Sequence, residues 1–123
     1  MITSIFYVAI GGALGSVLRF LISYFFNYSE KTSFPVSTFI VNVLGCFLIG
    51  ILIALFEKQI LVNPMHKLLL ITGFCGGFTT FSTFAYESMI LFHQSHFWTW
   101  GLYMMASNLL GFMMVMLGIY LLK

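Results

Sequence analysis

The chain has 123 residues, 61% of them hydrophobic and 7% charged, with a formal net charge of +2. A soluble domain carries charge at about a quarter of its positions, so with a mean hydropathy of +1.07 this chain is solvated mainly by lipid. No nucleic-acid partner is expected, and no enzyme either: the sequence holds no Ser–His–Asp or Cys–His set, no zinc-ligand spacing, no paired carboxylates and no phosphate loop.

A helix crosses the roughly 30 Å hydrocarbon core with about 20 apolar residues. That length divides the chain into four predicted spans, over about residues 4–26, 35–57, 67–93 and 97–122. Backbone in lipid must be satisfied by helices or a closed barrel, and these runs lack the period-two alternation of barrel strands. The fold class is an all-α membrane protein, with residues 1–123 forming a single four-helix transmembrane domain. The connections "NYSEKTS", "KQILVNPMH" and "HQSH" have no room for a soluble domain. The N-terminus lacks a basic n-region and its first span is too long for an h-region, so no cleaved signal peptide is expected. Lys58, Lys67 and Lys123 fall on one side of the membrane and Lys31 on the other. This is a weak bias toward both ends in the cytoplasm, compatible with either orientation or a mixture.

In the first span, "GGALGSVLRF" places Gly11 and Gly15 four apart, with Ser16, Arg19 and Ser23 following at helical spacing. Small residues at that spacing admit a close helix neighbour. Arg19 is costlier, about 2.5–3.5 kcal/mol near mid-span, and it cannot shed its charge. Either it snorkels to the headgroups, a poor reach with Phe20 to Phe26 still to cross, or it sits in the interior or in a vestibule, the favoured place, where a fixed cation attracts anions.

The second span, "STFIVNVLGCFLIG" after Pro35, sets Thr38 and Asn42 on one helical face. They form either one interhelical hydrogen bond, worth about 1 kcal/mol, or a donor pair along a wet path. Cys46, here, and Cys75 read as small packing residues.

The third span contains "GFCGGFTTFSTFAYE". Gly73, Gly76 and Gly77 each lose about 1 kcal/mol against Ala in a helix, and Thr79 and Thr80 favour an irregular turn. The prediction is a helix broken near its middle, presenting backbone groups to an ion; the alternative is a Gly-rich surface for close helix packing. Phe78, Phe81 and Phe84 recur every three residues along one side, with Thr80, Thr83 and Glu87 beside them. An aromatic edge is electropositive and can face an anion. In the fourth span Tyr103 and Ser107 begin a hydroxyl track that continues to Gly111 without a hydroxyl, and Trp98 and Trp100 read as interfacial anchors.

One arginine, one amide and several hydroxyls, with little negative charge, describe a route for a small anion. Four such helices make a thin bundle, so a dimer with its site at the shared axis is expected. The small charge bias leaves an antiparallel pair possible.

The three quoted motifs together resemble the Fluc (CrcB) bacterial fluoride channels, and the likeness covers all four spans. The resemblance implies an antiparallel, dual-topology homodimer in the bacterial inner membrane. Two pores would let fluoride leave the cytoplasm passively, protecting against its toxicity, and a structural sodium ion would sit at the dimer centre. It implies that the ring edges of Phe81 and Phe84 meet fluoride and that Asn42 is the pore amide, with Thr38 nearby. Ser82 and Thr83 would be hydroxyl partners, Tyr103 and Ser107 the fourth-span track, and Arg19 the vestibule cation. Backbone carbonyls of Gly76 and Thr79 would bind sodium. The departure from the pattern is Gly111, where some relatives continue the track with a hydroxyl. The rival reading is a small proton-coupled multidrug exporter, which needs a membrane-embedded carboxylate; Glu87 is the sole candidate.

Overall fold

The computed structural model describes residues 1–29 and 34–123, with side chains described for 1–26 and 34–123. Lys31 of the charge tally lies outside the described residues. Helix α1 (Ile2–Ser29) is followed by α2 (Val36–Glu57), which starts directly after Pro35. A proline there removes no helical hydrogen bond. The third span begins at Pro64, three residues before the predicted start, because the Asn63 side chain accepts from the Met65 N–H (2.9 Å) and Pro64 occupies the first helical position. It runs as Pro64–Lys67 (α), Leu68–Cys75 (a wider π-helical stretch) and Gly76–Phe78 (α), together α3 over 64–78. After an extended Thr79 and Thr80 come α4 (Phe81–His93) and α5 (Phe97–Leu121). The four spans are long and apolar enough to cross a membrane, and no strand occurs among the described residues. The chain is a multi-pass membrane protein.

The helices associate as two pairs, α1 with α3 and α2 with α5. Lipid supplies no hydrophobic drive between helices, so close backbone approach must hold each pair together. In the first pair a methyl group on Gly15 would lie 2.8 Å from the Phe78 nitrogen, and one on Gly77 would lie 2.6 Å from the Gly12 carbonyl. In the second pair Gly118 lies directly against the backbone of Phe47 and Ile51. Between the pairs, direct contact of α1 with α2 is sparse; Ser23 and Ser37 share a hydroxyl hydrogen bond of 3.2 Å there.

Two expectations are corrected. Of the residues expected to break the third span, the threonines do so, at Thr79–Thr80, and the glycines remain helical: Gly73 and Gly77 serve the contact with α1, while Gly76 is exposed. Phe78 does not share a row with Phe81 and Phe84, because the break separates them; it is buried and stacks on Phe74 at 5.7 Å. Of the tryptophans, Trp98 is exposed, whereas Trp100 packs edge-on against Phe92.

Candidate ion site at the helix break

At the break three polar side chains, those of Thr80, Asn42 and Arg19, take over hydrogen bonds that a continuous helix would make, after Thr79 closes the last helical one. Thr79 turns both its N–H (3.0 Å) and its hydroxyl (2.8 Å) back to the Cys75 carbonyl. Thr80 is then extended (φ −151, ψ 122), and its hydroxyl accepts from the Thr83 N–H at 3.2 Å as the N-cap of α4. Asn42, from α2, grips Thr80 on both backbone groups: its Oδ1 accepts from the Thr80 N–H (2.9 Å) and its Nδ2 donates to the Thr80 carbonyl (3.1 Å). Arg19, from α1, donates its Nε–H to the Gly77 carbonyl at 3.0 Å.

These bonds have a consequence for two other carbonyls. In a helix, Gly76 C=O would receive the Thr80 N–H and Thr79 C=O the Thr83 N–H. Asn42 takes the first donor and the Thr80 hydroxyl takes the second, so neither carbonyl receives its helical donor. The C-terminal end of α3 is a region of partial negative charge and the N-terminal end of α4 one of partial positive charge. A cation is favoured at the first and an anion at the second, within the same short segment.

Gly76, Thr79, Asn42, Phe81, Phe84 and Ser107 all line one open cleft of about 410 Å³. The Phe81 ring is 79% exposed and lies 6.0 Å from the Phe84 ring at 43°, while Phe84 is buried. The Ser107 hydroxyl is buried and has no hydrogen-bond partner. Behind Phe84 the structure places Tyr103, fully buried, with its ring 5.0 Å from that of Phe84. Its phenol donates to the Glu87 carboxylate at 3.3 Å and is hydrogen-bonded to the buried Thr38. Ser82 is exposed beside the Thr80 hydroxyl (3.5 Å), and Thr83 is half-buried on α4. Gly111 is buried, and a methyl group there would lie 3.4 Å from the Cys46 sulfur.

The structure thus gathers Asn42, Phe81, Phe84 and Ser107 at the cleft, sets Thr38 and Tyr103 behind it, and puts Arg19 on the break itself. Sequence reasoning missed the roles of Thr80 and Gly77 as the backbone partners of Asn42 and Arg19. The available signal was that a break strands carbonyls and N–H groups, and that the neighbouring spans each hold one long donor. Among the described residues no group of three or more His, Cys, Asp and Glu could hold a metal ion.

Residues 6–119 match the family described as CrcB-like protein, Camphor Resistance (CrcB). A protein of Flavobacterium psychrophilum named fluoride-specific ion channel FluC is 44% identical over 98% of this chain and 97% of its own length. Proteins of the same name from Azobacteroides pseudotrichonymphae and Aquifex aeolicus are each 44% identical, over 96% and 93% of this chain and 94% and 92% of their own lengths. These relatives are named as ion channels and not as enzymes. Matched across nearly its whole length, the chain belongs to the CrcB family.

Proposed function

We propose that the chain is the subunit of a fluoride-specific channel that lets fluoride leave the cytoplasm passively across the bacterial inner membrane. The observation that carries this reading is the cleft, where two phenylalanine rings, an amide and a buried unpartnered hydroxyl meet at the positive end of a helix. Fluoride is small and holds its water tightly, so a pore must replace that water with several close donors. Ser107 and Asn42 supply such donors, with the ring edges of Phe81 and Phe84 as weaker electropositive partners. Ser82, Thr83, Thr38 and Tyr103 extend the polar surface on either side. The full-length likeness to proteins named as fluoride channels supports the choice of ion.

The working unit is an antiparallel, dual-topology homodimer with two pores. Backbone without its helical partners is not tolerated against lipid, and the Gly76 and Thr79 carbonyls, which lack their helical donors, belong to residues that line a cleft open on one side of the subunit. A second copy against that face removes the conflict. Sodium fits the centre of such a dimer. The Gly76 and Thr79 carbonyls have lost their helical donors, and the space around Gly76 is open, the nearest atom to an added methyl being the Ile71 oxygen at 4.0 Å. When bound, the ion supplies a fixed positive charge between the two copies and is not transported.

The exporter reading needs a carboxylate free to trade protons for drug. Glu87 instead accepts a hydrogen bond from a fully buried tyrosine. Purified protein in liposomes separates the two. Rapid fluoride efflux with chloride retained is expected; drug-driven proton flux without fluoride efflux would decide for the exporter.

A further inference from the structure

The geometry points to Arg19 as a positioning residue whose Nε–H, and not its positive charge, is what conduction requires. This inference rests on the fluoride-channel reading and deepens it. Arg19 donates to the Gly77 carbonyl from α1, and that carbonyl lies in the last turn of α3, immediately before the chain leaves helical geometry at Thr79. In an uninterrupted helix Gly77 C=O would receive the Phe81 N–H. The break moves that donor into the first turn of another helix, so Arg19 fills the place it vacates.

Arg19 and Asn42 then act as a matched pair. One ties the end of α3 to α1, the other ties Thr80 to α2, and the break lies between the two ties. Because α1 and α2 touch each other sparsely, these bonds fix where α4 starts relative to α3. Phe81 is the first residue of α4, is 79% exposed and has its neighbouring ring, Phe84, one turn along. Within the subunit few contacts of its own hold it in place, so its position there follows that of the break. A guanidinium acting only as a vestibule charge would have no need of a directed bond to a carbonyl in the break.

The two roles separate by side-chain connectivity. In glutamine, as in arginine, a nitrogen bearing hydrogen follows Cδ, so Arg19→Gln keeps a donor at the Nε position and removes the charge. Arg19→Lys keeps the charge but puts carbon at that position, and Arg19→Met keeps neither. Each protein is reconstituted, and flux is measured against fluoride concentration. Amide exchange of the segment 73–87 is followed on the same samples. R19Q is expected to hold a saturating flux near that of the native protein, with native exchange in the segment. R19K and R19M are expected to lose about tenfold in saturating flux, the scale of one lost directed hydrogen bond, with faster exchange.

Four results would overturn the assignment. The first is R19K matching the native protein while R19Q falls at low fluoride and recovers at high fluoride, the pattern of a charge that concentrates anions. The second is native exchange in all three variants. The third is R19Q failing to assemble where R19K assembles. The fourth is a steep fall in native flux as an impermeant salt is raised to about 1 M, where the screening length is about 3 Å. If the native protein carries no fluoride at all, the channel reading fails, and the exchange data alone decide whether Arg19 holds the break.

Discussion

At the scale of single residues, Asn42 and Ser107 show two ways of spending a polar atom in a membrane. Asn42 satisfies two backbone groups of Thr80 with one planar amide, a use open only to a side chain with a donor and an acceptor on the same edge. Asn42→Asp keeps the acceptor and sets a carboxylate oxygen against the Thr80 carbonyl. The expected outcome is a lower melting temperature in detergent and a fluoride flux reduced more than about tenfold, given a penalty of about 1–3 kcal/mol for a buried group left unsatisfied. Ser107 is the opposite case, since its buried hydroxyl has no partner. Ser107→Ala removes that liability, so the protein is expected to be as stable as the native form or more so, while fluoride flux falls. Equal flux in the two proteins would remove Ser107 from the pore. The residue types at these positions were legible in the sequence, because an amide and a hydroxyl on apolar spans stand out. Their partners were not: Thr80 lies 38 residues from Asn42, and nothing local specifies that pairing.

At the scale of elements, the third span is where reading and structure part. The glycines predicted a break and a break exists, but three residues beyond Gly76, because propensity lost to packing. Gly73 and Gly77 remain helical since α1 lies against them, and the helix opens at the two threonines, where the Thr79 hydroxyl doubles the last helical bond and the Thr80 hydroxyl caps the next helix. Misplacing the break also joined Phe78 to a row it does not share. Gly15→Ala and Gly76→Ala therefore diverge. The first forces a methyl group to 2.8 Å from the Phe78 nitrogen and against the Phe74 carbonyl, so α1 and α3 must separate. Such overpacking costs about 1–3 kcal/mol and is expected to lower the melting temperature of the purified protein. The second enters open space at an ordinary helical geometry (φ −63, ψ −37) and is expected to leave the subunit's helix content and insertion unchanged. Its cost would fall on assembly of two copies, read by size-exclusion chromatography.

At the scale of the molecule, composition specified a lipid surround, because 7% charge leaves no other solvent, and the lengths of the apolar runs specified four spans. The pairing of α1 with α3 and of α2 with α5 was not legible: glycines mark a close contact without naming the helix on the other side. The dimer reading gives the prediction that belongs to this scale. If sodium rests on the Gly76 and Thr79 carbonyls of two copies, its complete removal is expected to speed subunit exchange and abolish fluoride flux. Unchanged exchange and flux in sodium-free buffer would remove the ion from the assembly.

The π-helical stretch Leu68–Cys75 also has a bearing on how this span tolerates change. There the Gly76 N–H reaches back five residues to the Ile71 carbonyl, so each such turn carries one residue more than an α turn. The extra length is stored slack. A chain shortened by one residue near Leu68 would cover the same rise with ordinary turns and leave the surface around Gly73 in register with α1. Such a one-residue deletion is expected to leave Phe81 in place, with fluoride flux in liposomes as the check.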